Sequence, residues 1–114
     1  PEDITGTWKG NWENDGIFGE KGTYVLTISQ QGTSVSGTAE LTASNGWVTY
    51  KIDGSISNNQ LKYRETLQDS YPKTYWCSSL DYTFPYYPPT TVLDGTYKCN
   101  IESYHTGICH LEKQ

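Results

Sequence analysis

Residues 47–68, "WVTYKIDGSISNNQLKYRETLQ", decide the fold class. On the first arm Val48, Tyr50, Ile52 and Ile56 share one parity. On the second, Leu61, Tyr63, Glu65 and Leu67 alternate with Lys62, Arg64 and Thr66. Side chains on a strand point to opposite faces in turn, so a period of two marks a half-buried strand. Asn58-Asn59 separates the arms, and asparagine tolerates the left-handed backbone of a tight turn. The segment therefore reads as a β-hairpin.

The pattern continues in both directions. Upstream, "GTWKGNWE" (6–13) places Gly6, Trp8, Gly10 and Trp12 on one face. "TYVLTISQ" (23–30) does so with Tyr24, Leu26 and Ile28, and "SVSGTAEL" (34–41) with Val35, Gly37, Ala39 and Leu41. Gln31-Gly32 and Asn45-Gly46 are turn signals between them. Downstream, "KTYWCSSLDYTF" (73–84) reads as a sixth strand with Trp76, Leu80, Tyr82 and Phe84 on one face. "PYYPP" (85–89) breaks it. "TVLDGTYKCNIE" (91–102) is a seventh, with Leu93, Tyr97, Cys99 and Ile101 inward. "GICHLEK" (107–113) is an eighth, with Cys109 and Leu111 inward. No window carries a 3.6-residue apolar stripe, and Ala39 and Ala43 are the two alanines of the chain.

Eight short strands joined mostly by tight turns predict an all-β chain, a single antiparallel up-and-down meander over residues 1–114. Closing such a sheet into an eight-stranded barrel removes both exposed edges. A β-sandwich is the alternative, though its crossovers need longer connections than most of these.

"ITGTWKGNW" (4–12) resembles the opening strand of the calycins, which include the avidins and lipocalins. The motif is Gly6-Thr7-Trp8, and the likeness covers about ten residues. It implies a barrel whose motif tryptophan plugs one end beneath a basic residue from the last strand, here Lys113. It does not imply biotin binding. Gly10 stands where streptavidin-type avidins carry a ligand-contacting asparagine, and their late Trp-Lys pair is missing.

With 114 residues and a net charge of −5, the chain lacks the basic patch that nucleic acid or an anionic membrane requires. It starts at Pro1 and has no methionine, so it reads as a processed or excised form. A secreted or periplasmic location is the matching expectation. Three cysteines leave one over under any pairing. A three-residue turn at 103–105 would set Cys99 opposite Cys109, making a Cys99–Cys109 disulfide one expectation and three reduced, buried thiols the other. Cys77 facing Cys99 would require Trp76 and Leu80 to point outward. Cys77, Cys99, Cys109, His105 and His110 lack zinc-type spacing, so no metal and no cofactor is expected.

Tyr24, Tyr50, Tyr63 and Tyr97 share the inward face with Glu65, more polar payload than a structural core requires. With Trp76, and with Tyr86 and Tyr87 of the proline-rich loop, they are the candidate ligand-binding residues. The expected function is a non-catalytic barrel holding a small polar, aromatic or carbohydrate ligand in its interior or at its open end. One alternative is an interaction module, a homo-oligomer or accessory domain, that uses loop 85–89. A small barrel enzyme such as an isomerase is a second.

Overall fold

The computed structural model describes residues 3–15, 19–101 and 106–114. Its eight strands are β1 (Gly6–Asn14), β2 (Lys21–Gln31), β3 (Ser34–Ala43), β4 (Gly46–Ser57), β5 (Gln60–Tyr71), β6 (Ser79–Pro85), β7 (Val92–Cys99) and β8 (Thr106–Lys113). Each pairs antiparallel with the next, and β8 returns to β1 through Trp8↔Lys113 and Trp12↔Cys109, closing the barrel. Closure excludes the sandwich. In the opening hairpin, Asn58 and Asn59 both take positive φ, at 51° and 59°, as the turn demands.

The inward parity holds around the ring. Trp8, Tyr24, Leu26, Ala39, Ile52, Leu61, Phe84, Leu93 and Leu111 are all fully buried. Outward positions pair with each other instead: Arg64 bridges Asp81 on the next strand at 2.9 Å. Small residues make room for large ones across the ladder. A Cβ at Gly107 would fall 2.6 Å from Cζ of Tyr97, its cross-strand partner, so only glycine lets that ring lie inside the wall.

One end of the barrel is plugged. The indole N–H of Trp8 donates to the Ile4 carbonyl at 2.9 Å, and the Lys113 ammonium lies 5.7 Å from the Trp8 ring centroid. Ile4, Phe84 and Tyr86 pack into the same end, all buried. The Tyr86 N–H donates to the Asn59 carbonyl at 2.9 Å, tying the 85–89 loop to the β4–β5 turn.

The structure departs from the sequence reading in three places. The sixth strand begins at Ser79 rather than Lys73, and residues 72–78 form a loop over the opposite end. Trp76 therefore lies off the strand on which parity had placed it. The seventh strand stops at Cys99, so Ile101, expected inward, is 65% exposed. The third departure is a bulge in β5. Thr49 pairs Asp69 while Tyr50 pairs Leu67, leaving Gln68 unopposed and turning Ser70 inward.

The same shifts decide the cysteines. β7 and β8 pair with Gly95 opposite Cys109 and Tyr97 opposite Gly107, a register that does not bring Cys99 to Cys109. The expected Cys99–Cys109 bond is not formed. Cys99 is bonded to Cys77, with 6.1 Å between Cα atoms, and Cys109 is a buried free thiol. Cys77 precedes β6, so strand parity places no constraint on Trp76 and Leu80. The turn at 102–105, on which the other pairing rested, lies outside the described residues.

Candidate functional site

The end opposite Trp8 is open, and a cavity of about 240 Å³ occupies it. Four strands supply the aromatic and polar part of its base. β1 brings Trp12 and Asn14, β4 brings Tyr50, and β6 and β7 bring Tyr82 and Tyr97. Loop 72–78 supplies a wall with Tyr75, Trp76 and Cys77.

Four of the lining aromatics are held by their polar atoms. The Trp12 indole N–H donates to the Thr42 carbonyl at 3.1 Å. Tyr50 Oη donates to the Cys77 carbonyl at 2.8 Å, fastening the loop to the barrel wall. The Trp76 indole N–H donates to the Tyr71 carbonyl at 3.3 Å. Tyr97 Oη donates to Asn14 Oδ1. A backbone bond from Leu67 N–H to the Ser78 carbonyl at 3.0 Å and the Cys77–Cys99 disulfide complete the loop's anchorage. Trp12 and Trp76 meet edge to face at 5.8 Å, and Tyr75 stands nearly perpendicular to Trp76 at 4.9 Å.

Beneath the cavity the barrel is solid and aromatic. Tyr63 stacks on Tyr82 at 5.1 Å, and Tyr82 meets Tyr97 at 5.3 Å, linking the core to the mouth. Glu65 lies among these rings with no exposed surface. Tyr24 Oη donates to Glu65 Oε2. That uses the one Tyr24 proton, so Tyr63 is the donor in the 2.7 Å contact between the two hydroxyls. Glu65 Oε1 and Tyr82 Oη have no hydrogen-bond partner among the described residues. Burial pushes the Glu65 carboxyl up to about 8, opposed by the Tyr24 hydroxyl and then by that of Tyr82, which faces the carboxyl without forming a well-aligned bond. Burial likewise raises Tyr24, Tyr63 and Tyr82, and the Glu65 charge adds to the rise in each.

The predicted ligand residues thus divide into three groups. Tyr50, Tyr97 and Trp76 line the cavity. Tyr24, Tyr63 and Glu65 form the buried network below it. Tyr86 and Tyr87 lie at the plugged end, so neither caps the cavity. Tyr86 is buried there, and Tyr87 is 67% exposed. Parity had assigned Trp12 to the inward face, which was sufficient to nominate it. Tyr82 carried the same signal. Nothing periodic marked Tyr75 or Glu20, which come from loops. Among the metal-type residues, Cys77 and Cys99 are consumed by their bond, His110 lies on the outer face between Asp94 and Glu112, and His105 lies outside the described residues.

Compared with protein-family models, curated proteins and solved structures, the chain has no significant match.

The disulfide closes a loop of 22 residues and holds one wall of the cavity. Reducing it, or substituting Cys77→Ser, is expected to lower stability by about 2–3 kcal/mol. Urea unfolding with and without reductant measures this, and an unchanged midpoint would argue against the bond.

Proposed function

We propose that the chain is a non-catalytic ligand-binding barrel that holds a small polar or aromatic molecule, sugars included, in the open-end cavity. The carrying observation is the asymmetry of the barrel. One end is plugged by Trp8, Ile4, Phe84 and Tyr86, and the other keeps about 240 Å³ walled by indole and phenol rings. Water occupies ~30 Å³ per molecule, so the space suits a ligand about the size of one substituted ring. Flat aromatic walls favour rings and sugar faces through apolar contact. The solid interior around Tyr24 and Tyr63 confines the ligand to the mouth. Glu65 is sealed below it, which supports binding over catalysis.

Two further features fit this reading. Trp8 beneath Lys113, in a strand opening Gly6-Thr7-Trp8, supports a distant calycin kinship. The disulfide is compatible with an oxidising compartment and so with secretion.

Quenching or shift of tryptophan fluorescence during titration with a panel of small phenols, amines and monosaccharides tests the proposal. At least one class is expected to bind. Silence from the whole panel at millimolar concentration would overturn it. Trp76→Ala, on a partly exposed loop, is expected to weaken binding about tenfold, near 1.4 kcal/mol, with little loss of fold. Tyr87→Ala, at the far end, should leave affinity unchanged.

A further inference from the structure

The chemistry of the cavity walls narrows the ligand, given the reading of that cavity as a binding site. Six aromatic side chains surround it: Trp12, Tyr50, Tyr75, Trp76, Tyr82 and Tyr97. The Trp12–Trp76 planes meet at 67° and the Tyr75–Trp76 planes at 87°, so neighbouring rings form walls rather than a stack. Glu20 is the one charged side chain among the lining residues, and no Lys, Arg or His lines the cavity among the described residues. Aromatic faces carry negative electrostatic potential, and rings set at angles around a small volume suit a positively charged guest.

We infer that the cavity takes an organic cation, with an alkylammonium or quaternary ammonium group seated between the rings and the Glu20 carboxylate at the mouth. Three further observations favour this charge type. The flanks of the cavity are acidic, with Glu13 and Asp15 on either side of the lining residue Asn14. After burial and Cys109, Asp15 and Glu13 are among the charges that act on the Tyr97 hydroxyl at the base of the cavity. The groups facing Glu65 from the surrounding strands are Tyr24, Tyr50, Tyr63, Tyr82, Tyr97 and Cys109, and none can carry positive charge. The whole chain also carries a net charge of −5, which draws cations towards it. An anionic ligand would meet no positive group in this cavity, and a neutral one would forgo the electrostatic contribution of rings and carboxylates alike.

Matched probes separate charge from shape. Choline and 3,3-dimethylbutan-1-ol have nearly the same outline and differ in charge. Isothermal titration calorimetry on the oxidised full chain is expected to give choline the tighter dissociation constant by about tenfold. That gap should narrow as salt is added, because the Glu20 share is screened. Glu20→Gln changes an exposed side chain, so the fold is retained, and circular dichroism verifies this. The variant should weaken choline several-fold and leave the alcohol unchanged. Equal binding of the two probes would overturn the cation assignment and leave the cavity as a ligand site. Binding of neither would overturn the assignment too, and the wider ring and sugar panel would then judge the cavity on its own.

Discussion

Glu65→Gln is expected to stabilise the protein at neutral and alkaline pH, by roughly 3 kcal/mol at pH 7. The carboxyl titrates near 4.5 when free in solution and at about 8 in the folded barrel. Below the first value both states hold the proton and nothing is lost. Between the two, the unfolded chain has ionised while the folded one still holds its proton. Stability then falls with rising pH, by about 1.4 kcal/mol per unit. Above the second value both are ionised and the loss stops growing. Glutamine removes this dependence. It keeps an acceptor for the Tyr24 hydroxyl and adds an N–H donor near the unpartnered Tyr82 oxygen. Urea unfolding at intervals from pH 5 to 9 measures the difference. The wild-type midpoint should decline across that range relative to the variant, and parallel curves would sink the assignment. His110 contributes to both proteins equally, so the comparison isolates Glu65.

Trp8→Ala should cost about 3–5 kcal/mol, the range for deleting a large buried aromatic. Trp8 has no exposed surface and plugs the closed end. Its removal leaves a cavity flanked by rigid strand ends, with the Ile4 carbonyl losing its indole donor and Lys113 losing its aromatic platform. Those neighbours have little freedom to collapse into the gap, which favours the upper part of the range. Lys113→Met retains most of the packing, and its loss should stay near 0.5–1 kcal/mol. Thermal and urea unfolding of both variants give the comparison. A loss for Trp8→Ala below that of Lys113→Met would mean that the tryptophan does not seal the barrel. The candidate cavity lies at the other end, so neither substitution should change the affinity of the proposed ligand in protein that remains folded.

The strand pairs of this barrel were legible because their signals are local. In 47–68 the alternation of Val48, Tyr50 and Ile52 and the Asn58-Asn59 turn both lie within a few residues of what they specify. The inward tyrosines followed from the same parity, as did the burial of Glu65. The site was legible only in part. Trp12, Tyr50, Tyr82 and Tyr97 were on the inward face of strands, but parity does not say which end of a barrel stays open. Tyr75, Trp76 and Glu20 reach the cavity from irregular segments, where no period links a side chain to a face. Tyr86 showed the reverse: a tyrosine in a proline-rich loop looked presentable to a ligand, yet the barrel end had space to bury it.

The sequence by itself determined eight strands, their order, which face of each is apolar, and the benefit of closing the sheet. Backbone geometry makes those properties a matter of spacing between neighbours. Only the tertiary structure decided that Cys77 meets Cys99, that Glu65 lies sealed under Tyr82, and that the mouth is ringed by aromatics with a carboxylate and no cation among its described residues. Each depends on the register of β7 against β8 or on where loop 72–78 lands. Those positions are set by packing across the whole closed barrel, between residues far apart in the chain.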